Sequence, residues 1–313
     1  MRNFIIALLL CSCASTETER PNKDKAGLVT DPMEITRILA ADDMEGRETG
    51  TAGGLKAREW LLEQMQARSF ETLDGDYRQS FEFPLKNGED LEGINLVGLI
   101  RGTGAKSGPV MVVTAHYDHV GIKSKEIYNG ADDNASGVAG ALAIADHFFD
   151  NPPTHDVIIA FLDAEEKGLW GARAFLGDKV IDPEQIGLNL NLDMISKNNR
   201  DEIYAAGTYH TPALVPLIDR VAAAAPIIVM IGHDRPEMGG DDWTFQSDHG
   251  PFHRAGIPFI YFGVEDHAEY HRPTDDYQTI PEDFFRGSVK TVVLAAEIFD
   301  EELERIWQSA SRD

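Results

Sequence analysis

Apolar positions along this chain fall into two rhythms. Three short runs are apolar at nearly every residue: PVMVVTA at 109–115, DVIIAFL at 156–162 and GLNLNL at 187–192. They have the length and β-rich content of strands buried on both faces. Helical stretches alternate with them, which is the pattern of an α/β sheet. The rhythm predicts helices near residues 32–40, 53–68, 134–149, 212–224 and 281–308. It predicts strands near 79–84, 94–101, 109–115, 156–162, 188–192, 202–206, 226–231 and 258–262. Asp31 before Pro32 is expected to open the first helix, because the aspartate can accept a free N–H and proline has none to lose.

The 313 residues suit one α/β domain with loop insertions, and the chain shows no internal repeat. The first residues read as an address. Arg2, the apolar FIIALLL and the small-residue SCAS have the layout of a secretory signal. LCSC resembles a bacterial lipobox, so Cys13 is expected to carry a lipid that anchors the chain to a membrane of the cell envelope; plain cleavage of the signal, leaving the chain in the periplasm, is the alternative. Residues 1–13 are then a signal segment, 14–27 a polar tether and 28–313 the catalytic domain. No cysteine follows Cys13, which excludes disulfides and a thiolate zinc site from the mature fold. A net charge of −25 excludes nucleic-acid binding, which needs clustered Lys and Arg. The acidity reads as a solvated surface, and excess acid near a pocket would favour a substrate's protonated amine.

Candidate chemistry sits directly after the strand-like runs. His116 follows the first, Glu165 and Glu166 the second, and Asp193 the third; Asp133 lies in NGADDNASG and His271 in EYHRPTDD. Imidazole and carboxylate are the ligands zinc accepts when its site stays open to water. In open α/β sheets such sites form beyond the carboxyl ends of the strands, so distant ligands become neighbours.

The segments AHYDH, GADDNASG, DAEEKGLWG, NLDMI and SDHGPF, with a late YH and an early GRETGTAG, resemble the co-catalytic zinc aminopeptidases of family M28. The resemblance covers most of residues 30–300. It implies the zinc exopeptidase (phosphorylase/hydrolase-like) fold, a mixed and mostly parallel sheet flanked by helices on both faces. It further implies His116, Asp133, Glu166, Asp193 and His271 as ligands to two Zn²⁺ ions, Asp133 as their bridge, Glu165 as general base and Asp118 as the group orienting His116. Ordinary chemistry supports these roles. Two zinc ions about 3.5 to 4 Å apart need a bridging carboxylate to offset their repulsion, and they acidify a shared water. Glu165, beside a ligand but free of the metal, can take that water's proton. A ligating imidazole gives its other N–H to a neighbour such as Asp118. Tyr270 can donate to the developing oxyanion.

Asp132 reads as a loop cap rather than a ligand. His119, His233, His249, His253 and His267 read as surface or satisfied polar residues, and Asp248 with His249 as support for the zinc shell. The expected activity is removal of N-terminal residues from a peptide substrate. A glutaminyl cyclase with one zinc and a carboxypeptidase are the enzyme alternatives. A receptor-like zinc-binding module is the non-enzyme one, disfavoured by the intact Glu165. The loops 195–201 and 232–246 are expected to build the specificity pocket.

Overall fold

The computed structural model describes residues 27–105, 108–178 and 181–310. The signal and lipid-anchor readings on residues 1–26 lie outside these. Among the described residues no helix is long and apolar enough to cross a membrane.

In chain order the elements are α1 (Pro32–Leu39), α2 (Ala52–Arg68), β1 (Arg78–Pro84), β2 (Asp90–Ile100), β3 (Val110–His116), β4 (Gly121–Lys123), β5 (Glu126–Tyr128), α3 (Gly137–Asp150), β6 (Val157–Leu162), α4 (Trp170–Gly177), β7 (Ile186–Leu192), β8 (Glu202–Ala206), α5 (Val215–Ala224), β9 (Ile228–Ile231), α6 (His249–Arg254), β10 (Phe259–Gly263) and α7 (Glu282–Ala310). Eight strands form one sheet in the order β1-β2-β6-β3-β7-β10-β8-β9, and β4 pairs with β5 in a separate hairpin. The centre of the sheet, β6-β3-β7-β10, is parallel. Antiparallel pairing enters at β1-β2, β2-β6 and β10-β8.

The continuous apolar runs are explained by what covers each face. Val157, Ile159 and Phe161 of β6 join the large core beneath α1, α2, α3, α5 and α7. Ile158, Ala160 and Leu162 pack on the opposite side with Phe175 of α4 and Phe252 of α6. Side chains alternate across a strand, so a strand covered on both faces is apolar at every position.

Two local expectations are corrected. Asp31 starts α1 in backbone terms but makes no side-chain cap. Its carboxylate instead accepts Arg286 Nη1 at 2.6 Å, tying the start of α1 to α7. The helix expected from 134 begins at Gly137, because residues 131–136 form an irregular π-type turn with non-helical dihedrals at Asp133 and Asn134. The short helices α4 and α6 and the β4–β5 hairpin carry too little periodicity to be read in advance.

Candidate metal centre and active-site cavity

The three central parallel strands end side by side, and each delivers a functional group. His116 is the last residue of β3. Glu165 and Glu166 follow β6 through Ala164, whose φ of 58° turns the chain sharply after Asp163. Asp193 follows β7 and precedes Met194, also left-handed at φ 57°. Asp133 arrives from the irregular turn before α3, and His271 from the loop after β10. Gly130 opens that turn at φ 57°, and a Cβ there would collide with the Asp133 carbonyl oxygen and the His119 ring.

The oxygens of Asp133 face two groups. Oδ1 lies 3.3 Å from His116 Nε2, which is itself 3.3 Å from Asp193 Oδ1. Oδ2 lies 3.1 Å from His271 Nε2, which is 3.3 Å from Glu166 Oε1. Two constellations able to hold a cation therefore share Asp133: His116, Asp133 and Asp193, and His119, Asp133 and Glu166. The structure thus brings all five expected ligands together and adds His119 to the second group. His119 is fully buried, its Nδ1 sits 2.8 Å from Glu166 Oε1, and neither ring nitrogen has a hydrogen-bond partner. The expectation of a surface or satisfied histidine is corrected there. Buried polar atoms normally find partners, and the orphaned His119 nitrogens and Glu166 Oε1 are donor atoms of the kind zinc accepts.

Electrostatics point the same way. Burial opposes charge on Asp133, but His119, His116 and His271 hold its carboxyl well below the ordinary range. Burial and the Asp133 charge push Glu166 up, and the nearby His119 and His271 outweigh them, leaving it at about 2. Asp133 and Glu166 raise His271 to about 10. Opposite shifts of acids and imidazoles mean that the cluster demands positive charge, from protons or from a metal.

Glu165 lines the cavity beside the first group. Burial lifts its carboxyl well above the usual value; His116 opposes this, while Asp248, Asp193 and Glu166 add to it. Asp118 acts differently from expectation. Its carboxylate is 3.7 Å from His116 Nδ1, too far for a hydrogen bond, whereas its main-chain carbonyl is 3.1 Å away and fixes that nitrogen as the donor. The carboxylate instead accepts the Glu165 N–H at 3.0 Å and, more weakly, the Glu166 N–H at 3.4 Å. Tyr270 lines the cavity stacked on His271 at 4.1 Å, and burial raises its phenol.

Asp132 is engaged away from the two constellations. It accepts Ser196 N at 2.7 Å and faces His267 Nε2 at 2.9 Å, locking the Asp133 loop to the segment after β7. His267, His249 and His233 all have polar partners, as expected. The His249 ring faces the Trp243 carbonyl at 2.8 Å rather than any of the expected ligands. Asp248 is fully buried with neither oxygen hydrogen-bonded, and burial pushes it up to about 8 against the pull of His116.

Two supporting residues escaped the sequence reading. Asp275 accepts the N–H groups of Asp132 and Asp133, each at 3.1 Å. Arg47 is fully buried and donates to four main-chain carbonyls: Leu39 at 2.7 Å, Tyr117 at 2.9 Å, Asn129 at 2.6 Å and Gly130 at 2.9 Å. Main-chain acceptors leave no signature in a sequence. Burial lowers Arg47 to about 10, against the carboxylates of Asp133, Asp275, Asp118 and Glu166. The expected specificity loops contribute unevenly. Phe245 and Gln246 of 232–246 line the cavity, none of 195–201 does, and α4 and α6 supply Arg173 and Arg254.

The model of peptidase family M28 matches residues 95–296, and the chain belongs to that family. Aminopeptidase YwaD of Bacillus subtilis (strain 168) is 30% identical over 197 residues, 59% of this chain and 40% of that protein. A vacuolar membrane protease of Schizosaccharomyces pombe is 25% identical over 232 residues, 70% of this chain and 26% of that protein. The chain thus spans less than half the length of either relative. Among solved structures, the glutaminyl cyclase of Porphyromonas gingivalis has a TM-score of 0.68 at 19% identity, covering 87% of this chain and 97% of its own. The zinc aminopeptidase BSAP of Bacillus subtilis has a TM-score of 0.55 at 22% identity, covering 68% of this chain and 52% of its own. At these identities both likenesses concern the fold.

Proposed function

We propose that this chain is a zinc-dependent exopeptidase that removes N-terminal residues from peptides. The observation that carries the reading is the shared Asp133 carboxylate, one oxygen toward His116 and the other toward His271, with Glu165 free beside them. One zinc would be held by His116, Asp133 and Asp193, and a second by Asp133, Glu166 and His271 with His119 adjoining. When bound, such ions acidify water and polarise the scissile carbonyl. Glu165 takes the proton of the attacking water and returns it to the leaving amine, a task suited to a carboxyl whose affinity for protons is raised. Asp118 keeps Glu165 in place through its main-chain N–H. The Tyr270 phenol donates to the oxyanion as it forms.

The likeness to a glutaminyl cyclase over 97% of that chain favours a second reading, cyclisation of N-terminal glutamine at one zinc. Incubating the zinc-loaded protein with free, N-acetylated and N-glutaminyl peptides, with mass analysis and a zinc determination, separates the readings. Loss of the first residue from free peptides only, with about two zinc ions per chain, is expected. Ammonia loss from glutaminyl peptides alone, at one zinc, replaces the reading with the cyclase. Efficient shortening of acetylated peptides at the other end replaces it with a carboxypeptidase.

A further inference from the structure

The cavity over the candidate metal site, about 420 Å³, is lined by groups of both charges. His116, Asp133, Glu165, Glu166 and Asp193 share that lining with Arg173 and Arg254. Both arginines are exposed, one on α4 and one on α6, helices that pack against each other. The chain has 53 acidic residues against 28 basic ones, and several of its arginines pair with a carboxylate; exposed Arg235 and Arg272 show no such pair among the described residues, but neither lines this cavity. Exposed Arg37, Arg101, Arg200, Arg220 and Arg305 each have one. Arg173 and Arg254 have none within ion-pair distance among the described residues. Each rests on an aromatic ring instead. The Arg173 guanidinium carbon lies 4.9 Å from the Trp170 ring centroid, and that of Arg254 lies 4.5 Å from the ring of Phe245, itself a lining residue. Stacking limits the mobility of a guanidinium while leaving its N–H edge free, which suits forked binding of a carboxylate.

We propose that Arg173 and Arg254 form a carboxylate-binding end of the active-site cavity, so that the enzyme prefers substrates bearing a carboxylate on the leaving side of the scissile bond. This rests on the exopeptidase reading and gives it a substrate class. A peptide whose scissile bond lies over the candidate metal site would then have its leaving-side carboxylate held by the arginines that share the lining. The carboxylate comes either from the C-terminus of a di- or tripeptide or from an Asp or Glu side chain in the leaving residue.

Three substrates test it on the zinc-loaded protein: Ala-Ala, Ala-Ala-amide and Ala-Glu-amide. The wild-type kcat/KM is expected to be about 10- to 100-fold higher for Ala-Ala than for its amide, the range a charge-assisted bidentate contact supplies. Ala-Glu-amide recovers the rate if a side-chain carboxylate serves as well, and stays with the neutral amide if only a C-terminus does. In Arg173→Gln, Arg254→Gln and the double variant the Ala-Ala to amide ratio falls toward one, through KM, and Arg→Lys variants recover part of it. Equal wild-type rates on Ala-Ala and its amide, or a ratio untouched by the substitutions, overturn the assignment and leave the exopeptidase reading standing. Turnover of none of the three overturns that reading and the assignment with it.

Discussion

The carboxylate of Asp118 accepts the main-chain N–H of Glu165 at 3.0 Å. A group only two residues beyond His116 thereby fixes the turn that presents both Glu165 and Glu166. The two glutamates are thus placed through their backbone rather than through side-chain contact. Substitutions at the two glutamates should nonetheless separate.

Glu165→Gln preserves shape and removes basicity. It is expected to lower kcat at least about 100-fold while retaining zinc, whereas Glu166→Gln loses metal, as read by elemental analysis after dialysis. Near-normal turnover by Glu165→Gln would place the base elsewhere.

Asp133→Ala removes the one carboxylate common to both constellations, so zinc content should fall at both positions together. Loss of one ion with the other tightly retained would show that the two positions do not depend on a shared bridge.

His119→Ala tests the buried imidazole beside Glu166. Competition with a chromogenic chelator is expected to show metal affinity reduced about 10- to 100-fold at one position, with the other unchanged. Affinity equal to wild type at both positions would reduce His119 to packing against Gly130.

Arg47→Lys keeps the charge but supplies fewer donors, without the planar fork that spans four carbonyls. Stranded buried carbonyls should cost about 3 kcal/mol or more, seen as a lower urea midpoint and Tm. A shift under about 0.5 kcal/mol, typical of surface changes, would refute the tethering role.

His249 gives the fold a sensitivity to acid. Burial lowers its ring to about 3 against the ordinary 6.5, so between these values the unfolded chain binds a proton that the folded chain does not. Stability from this group is complete above pH 6.5 and is lost on acidification at up to about 1.4 kcal/mol per pH unit. Urea unfolding of wild type and His249→Gln across pH 4 to 7 should give a flatter profile for the variant; parallel profiles would assign the acid sensitivity to other groups.

Much of the fold was legible because burial on both faces writes itself into composition. β3, β6 and β7 are apolar throughout since helices cover each side, and α7 is long enough for its period to show. His116, Glu166 and Asp193 were legible as candidate ligands because each stands just past or at the end of such a run, whereas Asp133, in the turn before α3, and His271, in the loop after β10, stand at no such boundary. What was hidden is whatever depends on the chain returning to itself. Nothing around His119 indicates that its ring folds back onto Glu166, because HYDH draws attention to His116 and Asp118. The four acceptors of Arg47 are carbonyls common to all residues. Arg173 and Arg254 stand 81 positions apart by number and share one cavity only because α4 and α6 pack on the same face of the sheet.

The two cation positions differ in their exposure to solvent. The side chains of His116, Asp133 and Asp193 are 2%, 5% and 10% exposed, so the first position is walled by packed strand ends. His271, at the second, is 43% exposed and lies on a loop. An ion held there would be screened from solvent on that side only by the His271 ring, while one at the first position would lie behind buried side chains. Were both positions filled, exchange with the medium would be staggered, and partial depletion would leave the inner ion in place.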